Sequence, residues 1–309
     1  MASAASGPRG CRIVSGTPNA RLVLALVIGV VAVSFAAILF RAAPDLHPLT
    51  AAGWRLVVAG LVLVPFMRWL PREALRPALL AGVIYALHFG TWVASLGLVS
   101  VVVSVTLVTT TPLMLALVGL VSGRDKPRPR ALGGLALGIV GVMMLAMSSR
   151  DAGGSSLSGV LLALAGAATF GIYLIVARRV TLPTLQASLA FAGVAGGLGG
   201  LLLLTTALVV GAPMLPTTMR EVWVIVGAAL LPQLVGHTML TWAVTKTTPT
   251  TVALATLGEP IGSALLAWAL LGEALTALGA VACVITLAAV ALALSDIRRD
   301  SATSTPSKG

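Results

Sequence analysis

The sequence predicts an all-α integral membrane protein, with ten transmembrane helices in two inverted five-helix repeats. Three observations predict it. The 309 residues are 58% hydrophobic and only 9% charged, whereas a soluble domain carries about 25% charged residues. The apolar residues fall into ten runs, each close to the roughly 20 residues a helix needs to cross a bilayer. The halves also resemble each other: "TWVASLGLVSVVVSVTLVTTTPLMLALVGLVSG" (91–123) parallels "TWAVTKTTPTTVALATLGEPIGSALLAWALLG" (241–272). Likewise "SFAAILFR" (34–41) parallels "TFGIYLIVAR" (169–178), and "LHFGTW" (87–92) parallels "VGHTMLTW" (235–242). Five is an odd number of crossings, so the second copy enters upside down, the plan of many secondary transporters.

The first run, 22–40, follows Arg9, Arg12 and Arg21. It is too long for the apolar core of a signal peptide and reads as an uncleaved span. The next four are 49–67, 78–98, 101–121 and 131–147. The second half gives 159–177, 187–210, 222–244, 250–271 and 274–294. The third and fourth runs nearly touch, as do the ninth and tenth, so each pair forms a tight helical hairpin. The expected organisation is a cytoplasmic tail (1–20), a first repeat (21–147), a linker (148–158), a second repeat (159–295) and a second cytoplasmic tail (296–309).

Charge tests this count. With the N-terminus inside, every Lys and Arg lies on the cytoplasmic side except Arg41, Arg150 and Arg220 in outer loops and Arg55 within a span. Basic residues concentrate in cytoplasmic loops, and a wrong helix count would scramble the pattern. Arginine outnumbers lysine 17 to 3 and alanine is abundant. That usage suits a GC-rich prokaryote, and hence the plasma membrane.

Several function classes are excluded. The net charge of +11 is scattered between apolar runs rather than gathered on one face, which argues against nucleic acid. Cys11 and Cys283 are far apart, and no metal-ligand spacing is present. The chain lacks the HExxH, CxxC, GxSxG and phosphate-loop signatures, so neither an enzyme, a cofactor nor a metal site is expected. "GGLGG" (196–200) reads as close helix packing.

The polar residues inside the spans then carry the argument. Of nine acids, only Glu259 lies deep within a run. An ionised residue there costs about 2.5–3.5 kcal/mol on insertion scales, so such residues face a cavity or a partner and mark a pathway. Because desolvation favours the neutral form of a carboxyl group, Glu259 is a candidate proton carrier; the bland alternative is a packing pair with a base. Pro260 follows it directly, and Pro112 occupies the matching place in the fourth run after "TTT" (109–111). Interrupted spans at matching positions in two halves point to a transport site, although a proline can also be a simple kink. The threonines are expected to bond back to their own helix.

Arg55 is the one base inside a span. Snorkelling to the headgroups or structural pairing competes with contact to Glu259 or a substrate carboxylate. His88, Trp92 and Ser95 fall on one helix face, as do Gln233, His237 and Thr241. The two stripes are repeat-related and should face each other. Tyr173 offers a cavity hydroxyl or mere packing. Trp92 and Trp242 suit either stacking on a flat or cationic substrate or the interfacial aromatic belt, which leads for Trp242, and Trp268 suits lipid or interface anchoring.

The stretches "GWRLVVAG" around Arg55, "HFGTWVASLGLVSVVVSVTLVTTTP" (88–112), "GHTMLTWAV" (236–244) and "LGEPIGSALLAWALLGE" (257–273) resemble the ten-helix EamA-domain branch of the drug/metabolite transporter superfamily. The resemblance covers roughly residues 20–295. It implies two five-helix repeats around a central cavity and transport, often export, of small polar or amphipathic metabolites. One departure stands out: "SGRD" (122–125) replaces the Gly-Glu that ends the family's fourth helix and matches Gly272-Glu273 here.

The expected function is therefore secondary transport of a small metabolite, an amino acid or similar, by alternating access. Efflux of amphipathic cations and uncoupled facilitation are the alternatives, and a non-transport membrane protein is the least favoured. The expected partners are a small-molecule substrate, protons and lipid, with the protein a monomer or a homodimer.

Overall fold

The computed structural model describes residues 20–99, 101–122, 129–148, 156–271 and 277–302. Among these residues every regular element is a helix. Residues 123–125 of the "SGRD" departure, Glu273, Cys11, most of the 148–158 linker, most of the N-terminal tail and half of the C-terminal one fall outside them.

The first half holds α1 (Ala20–Arg41), α2 (Pro48–Leu63), α3 (Arg72–Ser95), α4 (Val101–Val108), α5 (Thr111–Ser122) and α6 (Pro129–Ser148). The second holds α7 (Leu157–Arg179), α8 (Leu185–Val209), α9 (Met219–Ala228), α10 (Thr238–Val244), α11 (Pro249–Thr256), α12 (Glu259–Leu271) and α13 (Ala277–Ala302). Seven segments among the described residues are long and apolar enough to cross a membrane. Helices α6 and α13 have shorter apolar cores, at Leu132–Met144 and Ala277–Ala289. The fourth run is divided into α4 and α5.

Local chemistry sets the ends. Pro48 and Pro249 open α2 and α11 at the first turn, where a missing N–H costs nothing. Thr218 and Glu221 form a reciprocal capping box at α9. Gly211 closes α8 with φ 73°. Its N–H donates to Leu208 and that of Ala212 to Ala207, a Schellman ending that needs the left-handed backbone glycine allows.

Two departures from regular helix matter for the site. Both interrupted spans break just before their proline: Pro112 and Pro260 are each the second residue of a new helix, α5 and α12. The eighth run is widened to a π-helix over Ala229–His237. Pro232 lies within it; a proline has no N–H to give and its ring crowds the preceding turn, so the regular ladder cannot continue there.

Helices α1, α2, α3, α7 and α8 build the centre. Helix α2 packs on α8, α3 on both α7 and α8, and α1 on the π stretch, α10 and α12. Helix α7 receives α4 and α5, and α6 lies along α13. The "GGLGG" stripe permits the closest of these contacts. A Cβ on Gly200 would stand 2.7 Å from the Gly53 carbonyl oxygen of α2, and one on Gly199 2.9 Å from that of Gly82 in α3. Large apolar side chains point outward, among them Val209, Trp223 and Val284 at 79%, 67% and 66% exposure. Water would not tolerate so extensive an apolar surface on a monomer; lipid does. Trp268 is exposed in the same way.

Candidate functional site

A cavity lies among the central helices, bounded by Ala36 of α1, His88, Phe89 and Trp92 of α3, Phe170 of α7, His237, Leu240 of α10, and residues beside both helix breaks. Val108 and Thr109 come from the first break, Thr256 and Glu259 from the second. The space open to the centre of a water molecule is about 30 Å³, room for a water or two. The site is thus drawn in around its polar groups.

Glu259 opens α12 and is half-buried. Its main-chain oxygen accepts a long bond, 3.4 Å, from Ser34 Oγ, and Ser263 Oγ donates 3.0 Å to the Ser34 carbonyl. These bonds anchor the start of α12 to α1, whose own Ser34 hydroxyl also caps the Val30 carbonyl at 2.8 Å. Pro112 and Pro260 are buried and create the breaks. Their neighbours, rather than the proline rings, border the cavity. The hydroxyls of Thr109, Thr110 and Thr111 bond back to carbonyls of α4. Thr111 also reaches the Ala167 carbonyl of α7 at 3.0 Å.

The two polar stripes meet. His88 is buried, and its Nδ1–H donates to the Gly166 carbonyl at 2.8 Å. The rings of His88 and His237 are 6.4 Å apart between centroids. His237 Nδ1, Trp92 Nε1 and Gln233 Oε1 are buried without a hydrogen-bond partner. Ser95 of the first stripe instead ties α3 to α4 through Ser104, 2.6 Å. Tyr173 is fully enclosed, donates to Thr241 Oγ1 at 2.7 Å, and stacks on Tyr85 with centroids 4.0 Å apart. It supports the cavity wall rather than bordering the open space.

Arg55 corrects an expectation. Snorkelling is ruled out: the residue has 0% exposure. It does not bond to Glu259 either, because Nε, Nη1 and Nη2 all lack hydrogen-bond partners. Its guanidinium carbon stands 4.5 Å from the Phe89 ring centroid and 5.9 Å from that of Phe40. Trp242, expected in an interfacial belt, is half-buried against the core.

Sequence reasoning missed three contributors: Tyr85, Phe89 and Phe170. Tyr85 precedes His88 by three residues and Phe89 follows it, so helix geometry alone places both near the stripe. Phe170 stood within the repeated "TFGIYLIVAR" segment. Together with His88, Trp92 and His237 these rings form one continuous aromatic cluster, with Phe89–His237 and Phe170–His88 centroids 5.1 and 5.0 Å apart. Among the described residues no three His, Cys, Asp or Glu side chains come together as a metal site would require.

A solved crystal structure is similar over 91% of this chain and 98% of its own, with a TM-score of 0.75 and 18% identity. At that identity the likeness carries the fold alone. No curated protein matches the chain. The family model of the EamA-like transporters matches twice, over residues 20–147 and 157–295, the two halves that converge on the cavity. The chain is a multi-pass membrane protein of the EamA-like transporter family, within the drug/metabolite transporter superfamily.

Proposed function

We propose that the protein is a secondary transporter that moves a small metabolite by rocking one half against the other around the Glu259 cavity. The observation that carries this reading is the cavity's composition. It lies between the two matched halves, beside both helix breaks, and holds a carboxyl group with two histidines. Broken helices that bring polar groups to the middle of a bundle are the construction from which transporter sites are made.

Ten spans in inverted repeats fit the contacts. Exchange α1 with α7, α2 with α8, α3 with the α9–α10 segment, the α4–α5 pair with α11–α12, and α6 with α13. The packing of α3 on α7 then becomes that of the π stretch on α1, and both contacts exist. The α2–α8 and α6–α13 contacts map onto themselves. Five crossings per half require opposite senses. The charge asymmetry supports cytoplasmic termini; the same reading takes in a plasma-membrane location, a monomer or homodimer in lipid, export as the direction and Glu259 as the proton carrier.

Efflux of an amphipathic cation is a second reading, favoured by Phe89, Trp92 and Phe170 standing around Glu259, since ring faces and a carboxylate both attract positive charge. Proteoliposomes loaded with a cell-extract metabolite mixture test transport itself. We expect at least one compound to leave faster through the wild-type protein than through Glu259→Gln. Equal leakage from both, and from empty vesicles, would defeat the reading.

A further inference from the structure

Among the described residues Arg55 is the side chain with the most buried, unbonded polar atoms. A guanidinium presents five N–H donors in a flat, rigid fork and keeps its charge throughout the physiological range. Burying a charge without bonds is among the most unfavourable arrangements in a folded protein, yet Arg55 is wholly enclosed with none of its three nitrogens bonded. Neither Glu259 nor Tyr85 bonds to any of these atoms. Phe89 faces the guanidinium on one hand and borders the cavity on the other. A ring face attracts a cation but offers no lone pair to its donors.

A second observation points the same way. Trp92 Nε1, a donor that also has no partner, belongs to the aromatic cluster around Phe89. So does His237, whose Nδ1 is unpaired. Arg55 and Trp92 Nε1 thus present unbonded donors at the Phe89 wall, while His237 Nδ1 donates or accepts according to its tautomer. The missing partner has the character of an acceptor.

We propose that Arg55 is the docking group for the carboxylate of the transported solute, and that this solute is a small organic acid carrying a flat ring. A carboxylate accepts two parallel N–H bonds from one guanidinium, a match a point cation or a neutral polar group cannot make. The solute's ring enters the aromatic lining that Trp92 and Phe170 give the cavity. Phe89 turns aside as the acid enters, which exchanges a ring face for two charged hydrogen bonds at Arg55. The assignment rests on the transport reading above and names its substrate class.

Three probes of equal ring and chain separate the possibilities: 3-phenylpropanoate, 3-phenylpropylamine and 3-phenyl-1-propanol. With purified full-length protein in detergent, the carboxylate alone is expected to raise the thermal unfolding midpoint. Arg55→Lys keeps the charge but loses the fork, and should weaken that binding about ten-fold; Arg55→Gln should abolish it. Protection by the amine or the alcohol equal to that by the acid overturns the assignment. Protection by none of the three, or an unchanged affinity in Arg55→Gln, does so too. If Arg55→Gln does not fold, the wild-type panel still decides. Proteoliposome flux distinguishes the two readings. Binding of the acid without flux defeats transport and leaves Arg55 its role; flux of the amine without the acid defeats Arg55 and leaves transport standing.

Discussion

His88 and His237, one from each half of the chain, face each other across the cavity at 65° between ring planes, and their hydrogen-bonding states differ. His88 spends its Nδ1–H on the Gly166 carbonyl of α7, whereas His237 Nδ1 has no partner. The two histidines thus play different parts, one holding two helices together and the other presenting an unpaired polar edge. His88→Phe keeps a ring and loses the bond, so it should cost about 1 kcal/mol of stability. His237→Phe removes an unsatisfied group and should leave stability unchanged or improved. Both should impair transport. Thermal unfolding in detergent, run beside a flux assay, checks the pair; equal destabilisation would show that His237 has a structural bond after all.

The glycine stripe of α8 yields a contrast within five residues. A methyl at Gly200 meets the Gly53 carbonyl oxygen and the Val57 nitrogen, both at 2.7 Å, while one at Gly197 meets nothing within 4 Å. Gly200→Ala should therefore cost about 1–3 kcal/mol through overpacking. Gly197→Ala should be neutral or stabilise by up to about 1 kcal/mol through helix propensity. Unfolding midpoints of the two variants in the same detergent measure this directly, and the reverse order would mean that α2 and α8 are not so closely joined.

The all-helical, membrane-crossing character is legible in the sequence because hydrocarbon thickness imposes a length on each span, and Pro112 and Pro260 mark where two spans break. The His88 and His237 stripes were legible for the same reason: polar residues inside an apolar run stand out. Aromatic residues do not. Tyr85, Phe89 and Phe170 look the same in sequence whether they face lipid or a cavity. The π stretch at 229–237 adds less than one residue per turn, too small a change for hydrophobic periodicity to register. Arg55 was visible as an oddity, but its depth was not. Snorkelling depends on which way a long side chain turns, and only packing around Phe40 and Phe89 decides that.

Tyr173 and Thr241 join α7 to α10, and the direction of their bond can be assigned. The Thr241 hydroxyl gives its one proton to the His237 carbonyl at 2.7 Å, so Tyr173 must be the donor in the other contact. Tyr173→Phe and Thr241→Val should each cost roughly 0.5–1.5 kcal/mol. The double variant should cost less than their sum, as for two ends of one interaction. Strict additivity in a double-mutant cycle would show the hydroxyls to be independent.

The position of Glu259 depends on a contact one turn further along the same helix. A Cβ on Gly262 would collide with Ser34 Oγ and lie 2.7 Å from Ser34 Cβ. Ser34 is also the residue that holds the start of α12, at Glu259 and Ser263, against α1. Gly262→Ala must then push α12 outward and carry Glu259 away from His88 and His237. Flux should fall at least about ten-fold, with about 1–3 kcal/mol lost in stability. Ser34→Gly removes both colliding atoms. The double variant Gly262→Ala, Ser34→Gly should recover much of the lost stability, since a methyl on one helix replaces the side chain removed from the other. Its flux should recover in step only if seating α12 on α1 is what aims Glu259 into the cavity. Restored stability without restored flux would instead assign Ser34 a role in transport beyond packing.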